Sequence, residues 1–256
     1  MRINPMFCLK QKILCGIAAL CTVLSVQAED KIMRVGAEPA YAPFEFIDEE
    51  TKELTGFDIE LIKAIAEVEG YEIEISTMPF DALIPALLTN NVDVILSAIT
   101  ITEERKKRVA FSVPYYDSGL TILINEKDKD KVKSVKDLEG QKICVQIGTT
   151  GANYASTQIK DAVVSQFNTA PESYLELKAG GCVAAINDRP VNDYYLATNK
   201  SEGIISLPGT LSSESYGIAM RKTDEDMVKA VNDGYQKLKE NGTLDKIYSK
   251  WFGSSK

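Results

Sequence analysis

The sequence contains no histidine. That single absence removes Ser-His-Asp and Cys-His catalysis, histidine-ligated zinc and an imidazole pH switch. Positive charge is the minority sign: 29 Lys and Arg stand against 37 Asp and Glu, a net charge of −8. Such a balance disfavours general attraction to nucleic acid or anionic lipid, and it fits capture of a small solute better. After the N-terminal region no window stays apolar for ~20 residues, so no membrane-spanning helix is expected. Low-complexity tracts, short-period repeats and Pro/Gly/Ser-rich linkers are also missing. No metal or cofactor is expected. What is present is 256 residues at 45% hydrophobic content, enough to build one large domain or two modest ones.

Residues 1–28 read as a cleavable secretion signal. Arg2, Lys10 and Lys12 supply a basic start, residues 13–26 an apolar stretch, and Val26-Gln27-Ala28 small residues at the cleavage spacing. Leu14 before Cys15 and Leu20 before Cys21 argue against a lipid-anchored cysteine. Removal of the signal leaves 26 basic against 37 acidic residues, a net charge near −11. Only Cys144 and Cys182 then remain, each inside an apolar run. An oxidising compartment permits a bond between them. Sequence carries no Cα separation to support one, and the two runs are read here as holding inert core thiols.

Along the mature chain, short β-rich runs alternate with helical patterns, the signature of α/β units around a largely parallel sheet. Strands are expected at 32–37, 71–75, 93–97, 120–125, 142–147, 183–186 and 216–220. Phe57, Leu61, Ala64, Ile65 and Val68 recur at helical spacing between Gly56 and Gly70. Asp81 is expected to cap a short helix through Leu88, and Thr102 another, with Glu103 and Glu104 in its favourable first turn. Further helices are expected after Gly151, from about Val191, around Met227, Val231, Tyr235 and Leu238, and from a Thr243 cap to near Trp251. Two α/β blocks of comparable size follow, with short connections at 115–119 and 212–215.

An ordered set of motifs then carries a resemblance. Gly36-Ala37-Glu38-Pro39-Ala40-Tyr41-Ala42-Pro43-Phe44-Glu45-Phe46, Gly56-Phe57-Asp58-Ile59-Glu60-Leu61, Phe80-Asp81-Ala82-Leu83-Ile84-Pro85 and Ser97-Ala98-Ile99-Thr100-Ile101-Thr102-Glu103-Glu104-Arg105 come in turn, followed by Asn241-Gly242-Thr243 and Trp251-Phe252. Together they resemble the polar-amino-acid solute-binding proteins of bacterial ABC importers over the whole mature chain. The resemblance implies a periplasmic, monomeric receptor that is not an enzyme and has no nucleic-acid partner. It implies an α/β fold of two Rossmann-like lobes on a two-strand hinge, the periplasmic binding protein type II or Venus-flytrap plan. Residues 29–114 and 216–256 would form the first lobe, 120–211 the second, and 115–119 with 212–215 the hinge. The implied partners are an L-amino acid and an inner-membrane permease with its ATPase.

The same resemblance assigns candidate ligand contacts. Arg105 resembles the α-carboxylate clamp, a role for which a guanidinium fork is suited; alone, residues 105–108 read as a solvated basic face. Ser97, the backbone of Ala98 and the Thr100 hydroxyl would assist it from the same side. Thr150, in Gly148-Thr149-Thr150-Gly151, resembles the second lobe's carboxylate contact, since N–H groups at a helix start attract anions; alone it is a strand-to-helix turn. Asp188, at a strand's carboxyl end where open α/β sheets bind ligands, resembles the partner of the α-ammonium group. Tyr41 and Phe80 resemble two aromatic walls. Glu38 falls where related binders place an acidic residue at the far end of the ligand, and Gln146 is similar to arginine binders. A buried carboxylate demands a positive or donor-rich partner. The expected ligand order is arginine, then lysine or ornithine, then glutamine. The rival reading is an enzyme resembling cyclohexadienyl dehydratases on the same scaffold.

Overall fold

A computed structural model of the protein describes residues 31–199 and 203–253. The expected secretion signal lies outside the described residues. The chain first lays down β1 (Lys31–Ala37), β2 (Ala40–Tyr41), β3 (Glu45–Ile47), β4 (Leu54–Thr55), α1 (Phe57–Glu69), β5 (Tyr71–Thr77), α2 (Phe80–Leu88), β6 (Val94–Ile95), α3 (Glu103–Arg108) and β7 (Ala110–Phe111). It crosses through β8 (Tyr116–Ser118) into β9 (Leu120–Asn125), β10 (Lys142–Gln146), α4 (Thr150–Gln158), β11 (Val163–Phe167), α5 (Ala170–Ala179), β12 (Ala184–Asp188), α6 (Arg189–Thr198) and β13 (Ile204–Ser206). It returns through β14 (Glu214–Tyr216) to β15 (Ala219–Met220), α7 (Glu225–Glu240) and α8 (Thr243–Phe252).

Two five-stranded sheets result, ordered β5-β1-β6-β15-β7 and β11-β10-β12-β9-β13. In each, three strands run parallel, and the remaining two pair antiparallel to their neighbours. The sheets are therefore mixed where the sequence suggested largely parallel ones. The antiparallel members β9 and β15 are the strands that follow each crossing, so a crossing reverses the chain direction at the point of entry. Between the sheets, β8 and β14 pair antiparallel, Tyr116 opposite Tyr216. An α/β fold of two lobes follows.

Local chemistry explains the elements around the cleft. α1 buries Phe57, Leu61, Ile62 and Ile65 on one side. Gly56 precedes it with φ 131°, and a Cβ there would stand 2.0 Å from the Phe44 carbonyl oxygen, so only glycine lets the helix begin so close to β3. Some caps differ from expectation. α2 begins at Phe80 after Pro79, with Asp81 inside the first turn; α4 begins at Thr150 on a Thr149 cap; Gly242, in the left-handed region, precedes α8. The strand expected at 216–220 is split between β14 and β15, because its first part pairs with β8 and its second joins the first sheet.

Below the crossing strands lies an aromatic cluster. Tyr116 and Tyr216 stack with centroids 5.8 Å apart, Phe44 meets their edges at 5.0 and 5.2 Å, and Phe252 of α8 packs on Tyr116 at 4.8 Å. Ring pairs of this kind add to area burial and give the crossing a firm seat.

Cys144 and Cys182 are joined in a disulfide, with Cα atoms 5.9 Å apart. This overturns the expectation of two free core thiols. Cys144 lies in β10, and β12 pairs beside it with Cys144 opposite Ala185, so the turn entering β12 carries Cys182 to bonding distance. Only the pairing of two strands far apart in sequence creates that proximity.

Candidate functional site

Glu38 follows β1, Ser97 to Thr100 follow β6, Gln146 ends β10 and Asp188 ends β12. The site thus gathers at strand carboxyl ends, where open sheets place ligands. Contacts join the two sets across the cleft. Gln146 Nε2 donates to Glu38 Oε2 at 3.0 Å, the Tyr41 hydroxyl to Asn187 Oδ1 at 2.9 Å, and an Arg105 terminal nitrogen to the Gly148 carbonyl at 3.1 Å. A small internal cavity of about 10 Å³, at the lower limit for one water, is lined by Tyr41, Phe80, Ala98, Thr100, Arg105, Gln146, Thr149, Thr150 and Asp188. A recess of about 580 Å³ adjoins it and shares Phe80, Arg105, Thr149 and Thr150.

Arg105 extends from α3, whose Thr102 cap accepts from the Arg105 N–H. Its guanidinium lies over the Phe80 ring, 5.3 Å from the centroid, and donates to the Thr100 carbonyl at 2.8 Å. These bonds and the Gly148 contact hold the fork while leaving it N–H groups to spare. Burial pulls its pKa down, against the fields of Asp188 and Glu214.

Two carboxyl groups beside the cleft, Glu38 and Asp188, are buried without a bonded cation among the described residues. Glu38 is 1% exposed, and burial, outweighing the Gln146 hydrogen bond, pushes its pKa up to about 7. Its Oε1 and the Gln146 Oε1 have no hydrogen-bond partner among the described residues. Glu38 itself does not line the internal cavity; Gln146 does. Asp188 accepts from the Tyr216 hydroxyl at 2.5 Å, and burial raises its pKa to about 6 despite that bond. A buried, unpaired acid pays heavily for ionisation, so both groups favour a cation or donor arriving between the lobes.

Ser97 and Ala98 differ from expectation. The Ser97 hydroxyl accepts from the Glu38 N–H at 3.0 Å and donates to Glu45 Oε1 at 2.7 Å, so it braces Glu38 from behind. Ala98 has φ 43° and gives its N–H to Asp58 Oδ2 at 2.8 Å. That N–H is consumed within the first lobe, leaving the left-handed turn itself at the cavity. The Thr100 and Thr150 hydroxyls both donate to Glu214 Oε2, at 3.0 and 2.9 Å. α4 opens beside the cavity, which Thr149 and Thr150 line, and its Ala152 N–H is taken by the Thr149 hydroxyl. Gly151 lets α4 pack closely on β12: a Cβ there would be 2.8 Å from the Ile186 carbonyl oxygen.

Sequence reasoning gave no role to Glu45, Asp58 or Glu214. Glu45 and Asp58 are completely buried in the first lobe, and burial raises both pKa values, that of Asp58 to about 7. Each has one oxygen without a hydrogen-bond partner among the described residues, and the field of Asp58 adds to the rise at Glu45. The available signal was an acid set inside an apolar run, in Phe44-Glu45-Phe46 and Phe57-Asp58-Ile59. Behind Asn187 runs a polar chain in which its amide donates to the Tyr174 hydroxyl at 2.7 Å, which donates to Asn192 at 2.7 Å.

Two α/β lobes on paired crossing strands, with charged and aromatic side chains converging between them, define a two-lobed ligand-binding protein. The chain belongs to the bacterial extracellular solute-binding proteins, family 3, whose model matches residues 33–254. A probable histidine-binding protein of Neisseria gonorrhoeae is 36% identical over 87% of this chain and 83% of its own. A mutant of ArgBP from T. maritima superposes with a TM-score of 0.82 at 41% identity, covering 87% of this chain and 96% of that one. An ancestral amino acid-binding protein described as a precursor of cyclohexadienyl dehydratase superposes at 0.80 and 38% identity, over 86% and 95%. Among the described residues no helix is long and apolar enough to cross a membrane.

Proposed function

We propose that the protein is a non-catalytic, extracytoplasmic receptor for a basic L-amino acid, arginine before lysine or ornithine, which it delivers to a membrane permease and its ATPase. One observation carries the reading: among the described residues Asp188 and Glu38 are buried carboxyl groups without a bonded cation, Asp188 lining a cavity walled by Tyr41 and Phe80 and flanked by the Arg105 guanidinium, and Glu38 standing behind it on Gln146. Arg105 with the α4 N–H groups takes the α-carboxylate, Asp188 the α-ammonium, and Glu38 with Gln146 the side-chain cation. The crossing segments 115–119 and 212–215 act as the hinge. Contacts from both lobes coexist only when they are shut, so ligand shifts the hinge equilibrium by its differential affinity. The similarity to a histidine-binding protein and to ArgBP supports an amino acid as the solute.

Calorimetry with the twenty amino acids and ornithine tests this. Arginine is expected to bind tightest; a heat signal for glutamine with none for arginine refutes the role of Glu38. Glu38→Gln is expected to weaken arginine far more than glutamine, whereas Arg105→Ala weakens every amino acid. Equal losses for both ligands in Glu38→Gln count against the pocket assignment.

A second reading has one observation behind it. Glu38, with its pKa near 7, is a carboxyl able to donate a proton to a departing hydroxyl, as a dehydratase requires. Rapid aromatic product from prephenate or arogenate selects that reading over the receptor.

A further inference from the structure

Glu214 belongs to β14, one of the strands connecting the lobes. Its carboxylate is pinned at both oxygens: Oε1 accepts from the Ser212 hydroxyl at 2.8 Å, and Oε2 from the hydroxyls of Thr100 and Thr150 at 3.0 and 2.9 Å. Thr100 follows β6 of the first lobe, and Thr150 opens α4 of the second. A hydroxyl has a single proton to donate. Both threonines therefore spend theirs on one oxygen of a residue outside the ligand cavity, which Glu214 does not line.

We infer that Glu214 is a positioning residue that ties the two lobes in the shut form and thereby sets how long an amino acid is retained. The bonds to Thr100 and Thr150 can exist together only when the lobes meet. The acceptor is a carboxylate that takes three hydroxyl donors on its two oxygens, and hydrogen bonds to a carboxylate are stronger than those between neutral groups. The tie also directs both hydroxyls away from the ligand, leaving its carboxylate to Arg105 and the N–H groups of α4. The kinetic half of this inference rests on the amino-acid reading above; the conformational half does not.

The test compares the exported protein with Glu214→Ala, Thr150→Val and the double variant. Stopped-flow fluorescence follows L-arginine entry and release, and small-angle scattering gives the ligand-free radius of gyration. Each single variant is expected to release arginine about tenfold faster with little change in entry rate, the loss of a hydrogen bond to a charged group. The double variant should lose little more than Glu214→Ala, since both changes remove the same tie. The ligand-free variants should be more expanded than the unaltered protein. Unchanged or slower release, or losses that multiply in the double variant, overturns the inference. If the unaltered protein binds no arginine, the ligand reading fails and scattering alone decides: equal radii in all four proteins refute the tie. Thr150→Val conserves shape, so it carries the test if Glu214→Ala does not fold.

Discussion

Glu38 is buried, and the proposed function makes it the residue that sets specificity. A cationic side chain must find the carboxylate ionised, and with a pKa near 7 a proton competes for it below neutrality. Asp188, near 6, is the group proposed above to hold the ammonium common to all amino acids, so its protonation is expected to weaken every ligand alike. Arginine affinity is therefore expected to rise with pH up to about 7 and then level, by at most about tenfold per pH unit for each group. Glutamine should level earlier, near 6. Calorimetry across this range reads the difference, and Glu38→Gln should make the two profiles coincide. Identical profiles in the unaltered protein would remove Glu38 from the specificity pocket.

Elements place these residues, and two small features control the elements. The first is the bond from Cys144 in β10 to Cys182 before β12, closing a separation of 38 residues. By loop entropy such a closure stabilises by about 3 to 4 kcal/mol. Cys144→Ser/Cys182→Ser should lower the denaturant midpoint accordingly, and an unchanged midpoint would show that β10 and β12 need no clamp. The second is Gly56. Gly56→Ala forces a Cβ onto the Phe44 carbonyl and an alanine into φ 131°. A loss above about 3 kcal/mol is expected in urea unfolding, because the strain cannot be relieved without shifting β3 or α1.

Over the whole molecule, stability without ligand should fall as pH rises from about 5 to 8. Glu38, Glu45, Asp58 and Asp188 all have pKa values raised by burial, so the folded protein binds more protons than the unfolded chain. The contribution of Glu38, Asp58 and Asp188 is complete below the unfolded values near 4 and is lost as pH climbs through 6 to 7, and that of Glu45 is lost as pH climbs through its own raised value. Asp93 acts oppositely. Burial would raise its pKa, but hydrogen bonds from Arg34 and Arg221 outweigh this and hold it down to about 2. Its contribution is present above about 4 and disappears only in strong acid. Melting scans should show the highest transition in mild acid, with a shallower decline in Glu38→Gln. An equally steep decline there assigns the slope to the other acids and to general acidic repulsion. Ligand at ~100 times its dissociation constant should add ~2.7 kcal/mol.

Local signals made much of this legible. Gly56 and Gly70 bracket α1 because one is a sterically demanded opening and the other a left-handed stop, and both are properties of a few adjacent residues. The alternation of strands and helices defined the α/β class, and the ordered motifs led to Arg105, Asp188, Tyr41 and Phe80, all of which line one cavity. What sequence alone did not determine involves partners far apart along the chain. Cys144 meets Cys182 only because β10 and β12 pair; Ser97 and Ala98 turn inward only because Glu45 and Asp58 lie beneath them. The mixed sheets arise from where the crossing strands enter, and Glu214 meets Thr100 and Thr150 only when the lobes shut. Periodicity and caps are short-range physics written in neighbouring residues, whereas hydrogen-bond partnership and burial are decided by the packing of the entire chain.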